Sequence, residues 1–366
     1  MNYSKMIKRK KRTKNMSWED GVRKVIPYVP GEQPKIKNII KLNTNECPYP
    51  PAPGVQKKAD SFSCEQLRLY PDPDAADLTK CLADYYKVRE EQVFVGVGSD
   101  DVLAMAFLTF FNSEKPILFP DITYSFYDVW ADLYRIPYKL IPLKDDFSID
   151  AADYNIPNGG IVIANPNAPT GLAMPLAEIE KIILANQDVI VIVDEAYVDF
   201  GGESAIGLLD KYENLLVVQT FSKSRAMAGM RIGFAIGNEK VIQYLKDAKF
   251  SFNSYTMNRP SIEMGVEAVR DDVYFKETCN KIVRTRERVK QELKNLGFTF
   301  PESSTNFIFA THKTIPAKEI FEALKKEGIF VRYFNKPRID NHLRITIGTD
   351  DEMDKLITFL KEFTAC

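Results

Sequence analysis

Short apolar runs alternate with helical patterns through the middle of this 366-residue chain. Seven of the runs are rich in valine, isoleucine and leucine, and they cover residues 93–97, 116–120, 138–143, 160–166, 189–195, 214–220 and 231–237. Such runs, separated by helices, are typical of strands buried on both faces of a mostly parallel sheet. The pattern therefore predicts an α/β fold whose large domain has a mostly parallel, seven-stranded sheet.

The pattern changes towards the C terminus. A charged helix is predicted over residues 274–297, and Gly297 occupies the position where helices usually end. Three more apolar runs follow, "TNFIFAT", "IFVRYF" and "HLRITIG", with helical patterns at about 316–327 and 350–364. Fewer strands with helices packed on one side predict a smaller α+β domain.

Composition narrows the possible functions. The net charge is −1, which gives no overall attraction to nucleic acid or to a membrane surface. The sequence has no apolar run near the ~20 residues that a membrane-spanning helix needs. Its five cysteines are scattered without a C-x-x-C pair, so we expect a cytoplasmic protein with neither a disulfide framework nor a metal site. The basic run at 8–14 is typical of a disordered tail.

Polar side chains follow four of the predicted strands, namely Ser99, Asn167, Asp194 and Lys223. Ligands of open α/β sheets bind at the carboxyl ends of the strands, where these residues would meet. Each residue alone also has an ordinary structural interpretation, as a helix N-cap or a surface charge. A carboxylate at the end of an apolar strand is nevertheless costly to bury unless a cation meets it.

Together these residues match the chemistry of one cofactor. Lys223 can form a Schiff base with an aldehyde, and Asp194 can hold a protonated ring nitrogen. An asparagine and a tyrosine can hydrogen-bond a phenolate oxygen. The helix that starts at Ser99 offers backbone N–H groups to a phosphate, to which Arg231 can add a charged contact. Aldehyde, pyridinium, phenolate and phosphate are the functional groups of pyridoxal 5′-phosphate (PLP).

The sequence also resembles a known family over about residues 18–360. It is similar to the fold-type I PLP-dependent aminotransferases and, among them, to the histidinol-phosphate aminotransferases. The motifs that carry the resemblance are "KLNTNECPYPPAP", "LYPDPD", "NPNAPTG", "VDEAYVDF", "TFSKSRAMAGMRIGF" and "LRITIGT". The resemblance implies transamination of histidinol phosphate with 2-oxoglutarate, a step of histidine biosynthesis.

The resemblance also assigns roles to individual residues. The cofactor-binding set that it implies is Ser99, Asp100, Tyr124, Asn167, Asp194, Tyr197, Ser222, Lys223, Arg231 and Tyr70. Lys223, Asp194 and Tyr197 would be catalytic: Lys223 would hold the cofactor covalently and then move a proton, while Asp194 would pair with the ring nitrogen. Tyr124 would stack on the ring. Tyr70 would reach the phosphate site of a neighbouring subunit, which implies a homodimer.

Four further residues are implied to bind the small-molecule donor and acceptor, and they are Tyr28, Asn45, Arg332 and Arg344. Arg344 would clamp the carboxylate of an amino acid through a bidentate pair. Arg332, twelve positions earlier, would contact a substrate phosphate. Tyr28 would close over the same site.

Alternative functions share most of these motifs. Aromatic or other amino-acid aminotransferases and threonine-phosphate decarboxylases use the same cofactor residues, so substrate choice must come from the pocket. A regulator that senses PLP, or a catalytically inactive structural homologue, is the non-enzyme alternative. The presence of both Lys223 and Asp194 argues against it.

The expected organisation has four parts along the chain. They are a disordered basic extension (1–15), an N-terminal segment that belongs to the small domain and a dimer contact (16–55), a large PLP-binding domain (56–250) and a small C-terminal domain (251–366).

Overall fold

The computed structural model describes residues 17–35 and 38–365, so the predicted basic extension lies outside the described residues. The strands are β1 (Ile40–Lys41), β2 (Val93–Gly96), β3 (Ile117–Pro120), β4 (Tyr138–Ile141), β5 (Ile161–Ala164), β6 (Val191–Asp194), β7 (Leu215–Thr220), β8 (Gly233–Gly237), β9 (Phe298–Thr299), β10 (Phe307–His312), β11 (Ile329–Phe330), β12 (Arg332–Tyr333) and β13 (Leu343–Thr346). The helices are α1 (Pro53–Ser61), α2 (Ala76–Tyr86), α3 (Ser99–Phe110), α4 (Tyr127–Tyr134), α5 (Leu176–Ala185), α6 (Glu239–Phe252), α7 (Arg259–Arg270), α8 (Asp272–Asn295), α9 (Ala317–Lys326) and α10 (Asp350–Thr364).

The seven apolar runs form one sheet, as predicted. Its order is β2-β8-β7-β6-β5-β3-β4, and the neighbours from β7 to β4 run parallel. Strand β8 is antiparallel to both of its neighbours. The sheet is therefore mostly parallel, and the carboxyl ends of β3, β5, β6 and β7 lie along one edge.

Except in the edge strand β4, where Lys139 and Leu140 are exposed, both faces of this sheet are buried, which explains the continuous apolar runs. Along β6, Val191 and Val193 pack into one apolar cluster, whereas Ile192 packs into another on the opposite face. This alternation follows from the two-residue period of a strand. Helices cover both faces, so apolar residues are needed at every position of the central strands.

The C-terminal part of the chain forms a second sheet, with the order β12-β13-β10-β9 and antiparallel neighbours. Apolar side chains of α8, α9 and α10 pack in the same core as those of β10 and β13. Strand β1 pairs in parallel with β11, which connects the N-terminal segment to this C-terminal part. No helix among the described residues is long and apolar enough to cross a membrane.

Candidate active site

A pocket of about 590 Å³, partly open to solvent, lies where the polar strand ends meet. Eight of the sequence-predicted residues line it: Ser99, Asp100, Tyr124, Asp194, Tyr197, Ser222, Lys223 and Arg231. Asn167 is buried between Pro166 and Ala168, which are themselves lining residues. We call this space the first pocket.

A buried carboxylate stands at the end of β6 in the first pocket. Asp194 is 4% exposed, and its Oδ2 accepts a hydrogen bond from the Tyr127 hydroxyl at 2.7 Å. Burial raises the pKa of Asp194 to about 6, and the Tyr127 bond opposes this shift. Burial also raises the pKa of Tyr127 well above its ordinary value, which keeps the hydroxyl protonated as a donor. The carboxylate therefore lies in a site that favours a positively charged partner.

Lys223 follows β7 and faces the N-terminal segment. Its Nζ donates to the backbone oxygen of Thr44 at 3.0 Å and lies 5.8 Å from the centre of the Tyr197 ring. The Tyr197 hydroxyl accepts a hydrogen bond from Asn45 Nδ2 at 2.8 Å. The amine, the phenol and the amide therefore come from three distant parts of the chain and meet in one place.

Asn167 is held by three hydrogen bonds. Its Nδ2 donates to the Ile122 carbonyl at 2.9 Å and to Thr170 Oγ1 at 3.1 Å, and its Oδ1 accepts from Thr123 Oγ1 at 2.8 Å. A side chain bound on both sides has a fixed orientation.

The other end of the first pocket is suited to an anion. Helix α3 begins there without a side-chain cap, and the backbone N–H groups of its first turn carry the positive end of the helix dipole. Arg231 Nη1 donates to Ser222 Oγ at 3.2 Å, and Nη2 lies 3.6 Å from Asp100 Oδ2. A Cβ on Gly98 would lie 2.4 Å from Arg231 Nη2, so only glycine leaves room for the guanidinium.

A second pocket, of about 670 Å³, adjoins the first at Lys223, Tyr124 and Tyr197. It contains all four residues that the resemblance assigned to the substrate, namely Tyr28, Asn45, Arg332 and Arg344. Lys223 lies at the junction and can act on molecules in either space.

Two arginines face each other in the second pocket. Arg332 and Arg344 are direct partners in the antiparallel pair β12–β13, so their side chains lie on one face of the sheet. Burial lowers the pKa of Arg344, and the nearby charge of Arg332 lowers it further. Arg344 Nη2 donates to the Asn43 carbonyl at 3.0 Å, while its buried Nε has no partner among the described residues. Two adjacent cations with a spare donor form a site suited to an anionic group.

Sequence reasoning missed Thr220 in the lining of the first pocket, and it missed two groups that hydrogen-bond the pocket residues, namely the Tyr127 hydroxyl and the Thr44 carbonyl. Thr220 lines this pocket at the end of β7, and its position two residues before Ser222 was an available signal. Tyr127 and the Thr44 carbonyl gave no such signal, because their contacts arise from tertiary packing. Tyr70 lines neither pocket of its own chain and is 79% exposed.

Comparison with known proteins identifies the family. Residues 37–360 match the family model for aminotransferase class I and II. The chain is 53% identical over 348 residues to a histidinol-phosphate aminotransferase of Lactococcus lactis subsp. cremoris, with 95% of this chain and 98% of that protein covered. It is 54% identical over 343 residues to a histidinol-phosphate aminotransferase of Brachyspira hyodysenteriae, with 93% and 97% covered.

Solved structures share the fold. A histidinol-phosphate aminotransferase from Sinorhizobium meliloti, in complex with pyridoxal-5′-phosphate, has a TM-score of 0.81 at 24% identity and covers 89% of this chain and 91% of that one. An L-threonine-O-3-phosphate decarboxylase from Porphyromonas gingivalis has a TM-score of 0.77 at 21% identity, covering 90% and 100%. These likenesses establish the fold alone. The family match over most of the chain confirms the resemblance seen in the motifs, and this chain belongs to the class I and II aminotransferases.

Proposed function

We propose that this protein is a PLP-dependent aminotransferase that transfers the amino group of histidinol phosphate to 2-oxoglutarate. The observation that carries the proposal is the junction of two pockets at Lys223, one ending in a carboxylate and the other in paired arginines. The names of the relatives at 53% and 54% identity support the choice of donor.

The residues of the first pocket fit the cofactor. Asp194 would hold the ring nitrogen, since a protonated nitrogen would give this buried carboxylate a positively charged partner. The start of α3 and Arg231 would hold the phosphate, in the space that Gly98 keeps free. Asn167 and Tyr197 would bind the phenolic oxygen, and Tyr124 would contact the ring face. When bound, PLP supplies an electron sink that stabilises negative charge on the α carbon of an amine.

The Nζ atom of Lys223 would have two roles in the reaction. It would hold the cofactor through the aldehyde carbon, and the same amine would move the proton at the substrate's α carbon. The Thr44 carbonyl, 3.0 Å away, accepts from Nζ and gives the amine a fixed orientation in the free protein.

The paired arginines explain selection for an anionic substrate. Two guanidinium groups on directly opposite residues repel each other, and a phosphate dianion between them would relieve that repulsion. The two carboxylates of glutamate could use the same cations in the second half of the reaction. Tyr28, which stacks on Phe126 with ring centres 4.2 Å apart, would close the mouth of the pocket.

We also propose that the active unit is a homodimer in which Tyr70 of each chain reaches the phosphate end of the other chain's first pocket. Its exposed ring, and its absence from the lining of both pockets of its own chain, support this arrangement.

Two donors that differ only in their phosphate test the proposal. With 2-oxoglutarate as the acceptor, we expect kcat/KM for histidinol phosphate to exceed that for histidinol by at least about 100-fold, because unpaired arginines would be left in the pocket. Arg332→Gln should reduce this ratio about tenfold or more. Lys223→Ala should abolish turnover with every donor.

Several outcomes would contradict the proposal. Equal kcat/KM for histidinol phosphate and histidinol would show that the protein does not recognise the phosphate. A preference for phenylalanine or tyrosine would indicate an aromatic aminotransferase. Release of carbon dioxide from threonine phosphate would indicate a decarboxylase. Turnover retained by Lys223→Ala would refute the role of Lys223.

A further inference from the structure

The side chain of Arg338 hydrogen-bonds the loop between the two arginine-bearing strands to the ends of strands in the large sheet. This loop, residues 334–342, connects β12 to β13. Arg338 Nη1 donates to Asp121 Oδ2 at 3.0 Å, and its Nη2 donates to the carbonyls of Leu143 and Lys144 at 2.8 and 2.9 Å. Its acceptors follow β3 and β4, so one guanidinium bridges two strand ends of the large sheet and the C-terminal sheet.

The two segments that accept the hydrogen bonds of Arg338 are also bonded to each other. Asp121 Oδ1 accepts a hydrogen bond from the Leu143 backbone N–H at 2.9 Å, which joins the two segments that receive Arg338. Arg338 has a φ of +69°, a left-handed conformation that is unfavourable for residues with a Cβ. Glycine would adopt this backbone readily but could not make the three contacts, so the side chain gives a reason for arginine at this turn.

A small apolar cluster lies beside the bridge. Ile339 is 4% exposed and packs with Ile122 and Leu143 from the large sheet and with Phe309 from the C-terminal sheet. Phe334, at the start of the same loop, packs against this cluster and lines the second pocket. The contacts made by Arg338 and Ile339 therefore extend to the wall of the substrate pocket.

Phe334 connects the loop to both arginines of the second pocket. Its ring centre lies 5.6 Å from Cζ of Arg332 and 5.7 Å from Cζ of Arg344, within the range of cation–π contacts. A displacement of the loop would move this ring and with it the separation and direction of the two guanidinium groups.

We infer that Arg338 and Asp121 form a clasp that positions Phe334 against Arg332 and Arg344 and thereby sets the affinity for the anionic group of the substrate. Arg338 is a positioning residue, since it lines neither pocket. The inference rests on the proposed function. It predicts that the clasp affects the affinity for the substrate and leaves the affinity for the cofactor unchanged.

Arg338→Gln tests the clasp through a split between KM and kcat. We expect KM for histidinol phosphate to rise roughly 10- to 100-fold, because displaced pocket groups bind the anion poorly. The value of kcat should stay within about threefold, and the dissociation constant of PLP should not change, because Lys223 and Asp194 are not touched. Arg338→Lys should recover part of the loss, since an ammonium group can pair with Asp121 but cannot reproduce the arginine fork.

Arg288→Gln is a matched control. The Arg288 side chain is 36% exposed, against 35% for Arg338, and it pairs with Glu292, Asp350 and Asp354 away from both pockets. It should leave KM unchanged. In addition, Asp121→Asn should raise KM. The Asp121→Asn/Arg338→Gln double variant should be no worse than the poorer single variant, because both substitutions break the same Arg338–Asp121 ion pair.

Binding and exchange measurements keep the inference independent of turnover. In the PLP-loaded protein, calorimetry with inorganic phosphate should give about tenfold weaker binding for Arg338→Gln. Hydrogen exchange of the unloaded protein should be faster in residues 334–342 of that variant and unchanged in Arg288→Gln. Unchanged KM, phosphate affinity and exchange would overturn the clasp. Wild-type inactivity towards histidinol phosphate would overturn only the proposed function, leaving the phosphate and exchange results to decide about the clasp.

Discussion

Burial raises the pKa of Asp194, and the hydrogen bond from the Tyr127 hydroxyl opposes this shift. With a pKa of about 6 in the folded chain and 3.8 as its ordinary value, Asp194 binds more protons in the folded state between these two values. The free energy of unfolding therefore falls as the pH rises through that window, and the cost of burying the charge is complete above it. Tyr127 reduces this cost by donating to the carboxylate at 2.7 Å.

Tyr127→Phe should therefore destabilise the PLP-free protein in a pH-dependent way. Without the donor, the pKa of Asp194 rises further, so the loss is largest where the wild-type group is charged. We expect a decrease in the free energy of unfolding of about 2 kcal/mol at pH 8 and about 1 kcal/mol or less at pH 5. Urea unfolding at the two pH values measures the difference.

Tyr154→Phe provides the control for this measurement. Tyr154 is also fully buried, but its hydroxyl has no hydrogen-bond partner among the described residues. Its removal should raise the free energy of unfolding by about 1 kcal/mol, because it removes a buried polar group without a partner, and the gain should be equal at both pH values. Equal losses at pH 5 and pH 8 for Tyr127→Phe would show that its hydroxyl acts on packing and not on the charge of Asp194.

These residues also show which parts of the candidate site could be predicted from the sequence. Lys223, Asp194 and Asn167 were predictable because each follows an apolar strand, and the direction of a parallel sheet brings such positions together. Tyr127 begins a helix and is 0% exposed, so its pattern is that of any core aromatic. That its hydroxyl meets Asp194, 67 positions away, depends on how α4 packs on the sheet.

At the scale of elements, β2, β8 and α3 meet at the end of the first pocket where we propose that the phosphate binds, which we call the phosphate end. Gly98 has a φ of +84°, and a Cβ there would lie 2.4 Å from Nη2 and 3.0 Å from Cζ of Arg231. Gly98→Ala should displace the guanidinium and raise the dissociation constant of PLP about tenfold or more. A spectroscopic titration with PLP measures this constant.

Gly328→Ala separates backbone strain from the steric effect on the phosphate end. Gly328 has a φ of +76° and no heavy atom within 4 Å of a built Cβ. Both variants should lose about 1–2 kcal/mol of unfolding free energy from the left-handed backbone. Only Gly98→Ala should bind PLP more weakly, and equal PLP affinities for the two variants would contradict the steric argument.

The sequence predicts where the strands lie along the chain but does not predict which strands pair or in what register. The runs of the large sheet were predictable, since burial on both faces leaves an apolar pattern in all of its strands except the edge strand β4. The run "IFVRYF" also looked like one strand, but it forms β11 and β12, which pair with β1 and β13 respectively. The opposition of Arg332 and Arg344 depends on that partner and register, and no local pattern records either one.

At the scale of the whole molecule, the second pocket, where we propose that the substrate binds, is built from distant parts of the chain. Tyr28 and Asn45 come from the N-terminal segment, Tyr124 from the loop between β3 and α4, and Arg344 from the C-terminal sheet. Family motifs predicted these members, because a motif preserves the result of tertiary packing that periodicity cannot supply. The domain boundaries near residues 55 and 250 stay predictions.

Tyr70 points to an assembly larger than one chain. Its ring is 79% exposed and lies 4.7 Å from the ring centre of Tyr255, and the large side chains of Leu67, Leu69 and Phe252 on the same two segments are also exposed. Exposed apolar groups on neighbouring segments are typical of a surface that a partner covers. If that partner is a second copy, Tyr70→Ala should reduce activity about tenfold or more by removing a contact to the partner's cofactor phosphate.

Mixed dimers distinguish this role from a role within one chain. Tyr70→Ala chains keep Lys223, and Lys223→Ala chains keep Tyr70, so each hybrid dimer contains one site with both residues if Tyr70 acts across the interface. Random reassortment makes half of the dimers hybrids with one of two sites intact, which gives about one quarter of wild-type activity. If Tyr70 instead acts within its own chain, no hybrid site is complete and the mixture shows no more activity than its two parents. A protein that sedimented as a monomer at assay concentration would contradict the dimer directly, because no second chain would then be present to receive Tyr70.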